Sequence, residues 1–146
     1  MPRPVQGNVY HNPGGKQPLV TVIMLKTGKD TYLFYSGPGG YTAKAAIWRN
    51  KLANRQYRIL SMLWKDEYKD YPDTFKGKDK TLFDRRASQA MAENAEGVVY
   101  VMLPDDTQGT NWLTGTVWDK YEWPNLSSAV IRVVRINPND DNRAGY

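Results

Sequence analysis

Late in the chain a carboxylate stands among aromatic rings, in Trp118-Asp119-Lys120-Tyr121-Glu122-Trp123-Pro124-Asn125-Leu126. Aromatic neighbours strip water from a carboxyl group. Lost hydration raises its pKa, a property that clusters at sites of chemistry. On composition alone, an exposed loop acid is the simpler reading of Glu122. A second candidate is Ser36-Gly37-Pro38-Gly39-Gly40, a stretch that no regular element accommodates and that follows the aromatic run Thr31 to Tyr35. Much other chemistry is excluded. The chain has no cysteine, hence no thiol nucleophile, disulfide framework or cysteine-held metal. It has one histidine, His11, so no mechanism needing two imidazoles applies, and His11 itself lies in a proline-rich arm.

The elements that must position these residues follow from periodicity. Residues 1–18 hold four of the nine prolines and read as an irregular arm, leaving 19–146 as a single α/β domain. Strands are expected over 19–24 and 31–35, where β-branched and aromatic residues dominate. Thr42 is placed to cap a helix over 43–55, with Ala45, Trp48 and Leu52 on one face. A second helix is expected over 57–68 and a third over 82–96, where Phe83, Ala87, Ala90, Met91 and Ala95 keep a 3.6-residue period and Gly97 ends the run. The unbroken apolar run Val98-Val99-Tyr100-Val101-Met102-Leu103 reads as a strand covered on both faces, and 130–136 as a last strand. The intervening 104–128 is an aromatic-rich loop longer than a connection requires. Strands alternating with helices give an α/β fold: a small, mostly parallel sheet flanked by helices. Ligands of such sheets sit at the carboxyl ends of the strands, where Ser36 to Gly40, 104–123 and the segment after Ile136 converge.

Charge refines the picture. Twenty basic against fifteen acidic residues give a net of +5, suited to an anionic or phosphorylated partner. The basic residues are scattered, which argues against nucleic acid. The cluster Lys76 to Lys80 is broken by glycine and aspartate and reads as a solvated loop; Arg85 and Arg86 read as solvent-facing, and Arg132 and Arg135 as pointing to opposite sides of a strand. No run approaches a membrane span, and no secretory leader is read.

Five segments recur in a telling order. Phe34-Tyr35-Ser36 ends a strand, and Phe83 and Ser88 lie five apart on an alanine-rich helix. Val99-Tyr100-Val101-Met102-Leu103 follows, then Glu122 with Trp118 before it and Asn125-Leu126 after it. Over residues 31–136 this set resembles the catalytic half of the ADP-ribosyl cyclase / NAD glycohydrolase family. That family has an aromatic-Trp-Ser strand end, a Phe-Trp-x-x-x-Ser helix, a Val-x-Val-Met-Leu strand and a glutamate followed three residues later by Asn-Leu. The resemblance implies a cyclase-like fold and cleavage of the nicotinamide–ribose bond of NAD, giving ADP-ribose, cyclic ADP-ribose or both. NAD is then substrate, with no cofactor or metal ligand assigned. Glu122 is the implied catalytic carboxylate, and Tyr35, Ser36, Gly37, Ser88 and Trp118 the implied substrate-binding residues. Tyr35 and Trp118 would face the pyridinium ring, and Ser36 with the amides of 37–40 the pyrophosphate.

This chain departs from the family pattern. It lacks the disulfides of the animal members and most of their N-terminal helical half. Asp84 stands where a stacking tryptophan is expected, a loss that Trp48, Trp64 or Trp112 is available to offset. The acidic Thr-Leu-Glu-Asp motif has no counterpart, its region reading Tyr57-Arg58-Ile59-Leu60-Ser61. A cysteine-free chain of this kind fits a cytoplasmic enzyme or a toxin domain acting in a target cytosol, and the family allows a homodimer. Two other readings stay open: a basic RNA-binding or ribonuclease toxin domain, and a non-catalytic nucleotide-binding module on the same fold.

Overall fold

The structure, a computed structural model, describes residues 19–36, 41–51, 54–103, 114–136 and 143–145, with the backbone alone for 41–43 and 143–145. The arm, His11, residues 37–40, Leu52, Trp112 and the segment directly after Ile136 lie outside them. Four strands form one sheet in the order β1 (Leu33–Tyr35), β2 (Gly97–Met102), β3 (Val130–Ile136) and β4 (Arg143–Gly145). β1, β2 and β3 run parallel, and β4 is antiparallel to β3. Helices α1 (Tyr41–Asn50) and α2 (Gly77–Asn94) complete the α/β architecture.

Alternation along the strands sorts the core into two halves. Phe34, Val99, Val101 and Val133 face α2, meeting Phe83, Ala87, Ala90 and Met91. Leu33, Met102 and Ile136 face the other way, meeting Ala45 and Trp48 of α1 together with Tyr57 and Ile59. β2 is thus apolar on both sides because it is covered on both sides, as its sequence requires. Arg132 is exposed and Arg135 buried, the opposite orientations expected of them.

Two expected elements do not form. Residues 19–24 make no strand; Val22–Met24 is a 3₁₀ turn. Residues 57–68 make no helix, only short 3₁₀ turns at Leu60–Met62 and Asp66–Tyr68. The cause is shared. Arg58 N–H donates to Thr31 O at 2.7 Å and Leu33 N–H to Arg58 O at 3.0 Å, so Arg58 bridges the edge of β1. Farther along, Lys65 N–H donates to Met24 O at 2.9 Å beside a Leu25–Trp64 bridge. Each segment satisfies its backbone against the other or against β1, and tertiary pairing overrides the local helical spacing.

α2 starts earlier than its apolar period suggests. Its first turn takes in Gly77 to Lys80, so the lysine cluster is a helix end and not a loop. The helix is anchored at its far end, where Asn94 Nδ2 donates to Lys26 O and to the Tyr32 hydroxyl, both at 3.0 Å. Gly97, expected to stop this helix, instead opens β2 with φ +78. A Cβ there would collide with the Asp30 carboxylate, which accepts the Val98 N–H at 2.6 Å. Among the described residues no helix is long and apolar enough to cross a membrane.

Candidate active site

The residues after Gly115 do not stay a loop. Trp118–Glu122 forms a π-helical turn, running directly into a 3₁₀ turn over Trp123–Asn125. Wide turns of this kind are rare and often sit at functional sites. This one turns both Trp118 and Glu122 inward, leaving them 0% and 4% exposed. Three contacts hold it in place. Trp118 N–H donates to Ser36 Oγ at 3.3 Å, tying the turn to the end of β1. Asn125 Nδ2 donates to Tyr121 O at 2.9 Å and closes the following turn. Ser127 N–H donates to Ala92 O at 3.0 Å and docks the exit onto α2.

Beside the turn lies a cavity of about 630 Å³. Its inner wall is the carboxyl end of β1, Tyr35 and Ser36, facing Glu122 and Val117. One stripe of α2 supplies a second wall: Lys80, Phe83, Asp84, Ala87, Ser88 and Met91 recur three and four apart. The third wall comes from the irregular 60–73 region, chiefly Leu60, Ser61, Trp64 and Lys69. The position agrees with the rule for open α/β sheets, at the carboxyl end of a parallel strand.

Glu122 is the buried charge-bearing group of this cavity. Burial pushes its carboxyl well above the usual carboxylate range, and a hydrogen bond from the Ser88 side chain opposes that rise. Its Oε1 has no hydrogen-bond partner among the described residues. An unsatisfied carboxyl oxygen at this depth costs stability unless something else meets it. Ser88 lies in the middle of α2 and lines the same cavity as Glu122.

The expected binding residues divide. Tyr35, Ser36 and Ser88 line the cavity with Glu122. Gly37 lies outside the described residues. Trp118, expected to face a ligand, does not line the cavity. It is fully buried between Phe34 at 5.5 Å and Trp123 at 5.8 Å between ring centroids. It belongs to the core cluster that also holds Phe34, Val101 and Leu103. Of the three tryptophans available to replace the missing stacking surface, Trp48 lies on the opposite face of the sheet. Trp64 lines the cavity, stacked on Phe83 at 5.5 Å with planes 21° apart. Phe83 stacks in turn on Phe75 at 4.7 Å, which fixes the aromatic wall.

Other charged residues are also relocated. Arg85 is exposed, with its guanidinium 5.8 Å from the Tyr121 ring, but Arg86 is 3% exposed and not solvent-facing. The α2 stripe places Arg86 on the inner side of the helix, beside Ala87 and Ala90. Among the described residues no group of three or more histidine, aspartate or glutamate side chains is placed to hold a metal ion. Sequence reasoning did not single out Lys69, Lys80 or Asp84 as cavity residues. The available signal was the i, i+4 series Lys80, Asp84, Ser88 on α2.

No family model and no curated protein matches the chain. Solved structures do. A crystal structure of ADP-ribosyl cyclase complexed with N1-cIDPR is similar with a TM-score of 0.51 and 22% identity, over 75% of this chain and 50% of that one. A crystal structure of Aplysia cyclase, complexed with substrate NGD and product cGDPR, gives 0.52 and 22% over 75% and 49%. A glutamate-to-alanine mutant of ADP-ribosyl cyclase gives 0.51 and 21% over 75% and 50%. The fold is therefore cyclase-like, and the chain spans about half the length of these structures.

Proposed function

We propose that this chain breaks the nicotinamide–ribose bond of NAD, with Glu122 as the catalytic carboxylate. The observation that carries the reading is the buried Glu122 carboxyl, its Oε1 without a hydrogen-bond partner among the described residues, in the wall of a cavity of about 630 Å³. The cyclase neighbours, one of them complexed with a substrate and a product, support NAD-related chemistry at this fold.

The chemistry suits one deep acid. Nicotinamide leaves NAD as a neutral molecule, so its departure needs no proton donor. Positive charge then spreads over the ribose C1 and ring oxygen, as in glycoside hydrolysis. A carboxylate fixed beside that carbon stabilises the cation more than the ground state, and burial strengthens the effect. Burial raises the proton affinity of Glu122. A pyridinium cation beside it favours the ionised form, so the substrate prepares its own catalyst. Ser88 holds the ionised carboxylate in direction, and Tyr35, Trp64 and Phe83 offer aromatic walls for a flat cationic ring, each such contact contributing about 0.5–2 kcal/mol. Ser36 spends its hydroxyl oxygen on the Trp118 amide, so its first role is to hold the π turn.

Nicotinamide release from NAD by the purified chain tests the reading, with Glu122→Gln as the control. Release by the wild type and its loss in a folded variant is the expected result. Equal release by both removes Glu122 from the mechanism.

A further inference from the structure

We propose that Asp84 is the base that delivers water to the ribose in the second half of the reaction, so that the chain hydrolyses NAD; this rests on the reading of Glu122 above. Asp84 lines the same cavity as Glu122. It stands four residues before Ser88 on α2, a spacing that puts the two side chains about 5–6 Å apart on one face. Ser88, Glu122 and a third carboxylate, Asp73, line the same cavity. Glycosidases that deliver water from a base likewise place two carboxyl groups around one site.

The surroundings of the two acids differ as their tasks would. Glu122 is buried, whereas the Asp84 side chain is 58% exposed, where water reaches it. Asp84 is also aimed. Lys80 Nζ lies 3.3 Å from Asp84 Oδ1, donates to Pro72 O at 3.2 Å and sits 5.1 Å from the Phe83 ring centre. An ammonium held from three directions keeps its partner carboxylate over the cavity.

The step balances as follows. The C1–N bond breaks and its electron pair leaves with neutral nicotinamide, the ribose cation facing Glu122. A water lone pair forms the new O–C1 bond, and the proton that water loses passes to Asp84. Asp84 later releases it to solvent, leaving ADP-ribose. A pyridine nucleophile attacks the same carbon through its nitrogen lone pair and has no proton to lose. It needs no base, and that difference isolates Asp84.

The experiment measures NAD turnover in the presence of a substituted pyridine, scoring total nicotinamide release and the ratio of ADP-ribose to exchanged dinucleotide. In Asp84→Asn the ratio is expected to fall at least about a hundredfold, the low side of what a general base contributes. Total nicotinamide release is scored beside the ratio, so that a general loss of activity is separated from a loss of water delivery. Lys80→Met, which removes the ammonium that aims the carboxylate, should lower the ratio in the same direction but by less than Asp84→Asn. An unchanged ratio in folded Asp84→Asn overturns the proposal and leaves Glu122 in place. A larger fall in Lys80→Met than in Asp84→Asn overturns it too, by assigning the effect to the cavity wall. No nicotinamide from the wild type in any mixture refutes the reading of Glu122, and the role of Asp84 with it.

Discussion

Glu122→Gln should stabilise the protein, and the size of the gain should depend on pH. The folded state raises the proton affinity of this carboxyl through burial, against one hydrogen bond from Ser88. In the unfolded chain the group titrates near the ordinary value of about 4.3. Between the ordinary value and the raised one, the folded protein holds a proton that the unfolded chain has released. Stability from this group is therefore complete below the unfolded pKa and is lost as pH rises through the folded pKa. Glutamine has nearly the same shape and no charge to bury, so the variant escapes that loss. The variant therefore should melt above wild type at pH 8. The gap should close as pH falls toward 4. Thermal melts of the two proteins between pH 4 and 8 supply the test. A gap that is absent at pH 8, or that widens on acidification, refutes the buried, uncompensated carboxyl. A stabilised but inactive variant is also what a functional group kept at the expense of stability should give.

Further outcomes follow from the same geometry. The acid limb of kcat/KM, which reports the free enzyme, should lie above the usual carboxylate range, and that of kcat lower, because the bound pyridinium favours ionised Glu122; coincident limbs would contradict this. Ser88→Ala should move the kcat/KM limb upward, since the Ser88 side chain favours the ionised acid; an unmoved limb would show that Ser88 does not act on it. Trp64→Leu should raise KM for NAD about twofold to thirtyfold with a smaller effect on kcat, whereas Trp118→Ala should cost about 3–5 kcal/mol of stability by emptying the core behind the site; steady-state kinetics and denaturant melts separate the two. Gly97→Ala should destabilise the sheet, because its φ of +78 and the neighbouring Asp30 carboxylate both exclude a Cβ; a denaturation midpoint equal to wild type would contradict that.

What the sequence made legible is what local pattern controls. The apolar stripe of α2 and the doubly covered β2 follow from periods that burial enforces, and both form where expected. Glu122 and Ser88 were singled out by the ordered set of segments that resembles the cyclase family, and both line one cavity. Residues 57–68 were misread because their leucines and tryptophan keep helical spacing while their backbone is claimed by β1 and by residues 24–26. That misreading hid the third wall of the cavity, with Trp64 and Lys69 in it. Trp118 was misread for a related reason. A π-helical turn advances its residues by a register that neither helix nor loop spacing anticipates, and so the ring enters the core. Asp84 looked like a lost tryptophan until the α2 stripe placed it on the cavity wall.

The measurement that bears most directly on the account is chromatography of NAD incubated with the purified chain, with Glu122→Gln run beside it. The account predicts free nicotinamide from the wild type, ADP-ribose as its companion peak, and neither from the variant. Intact NAD after hours at micromolar protein, or equal nicotinamide from both proteins, would contradict it.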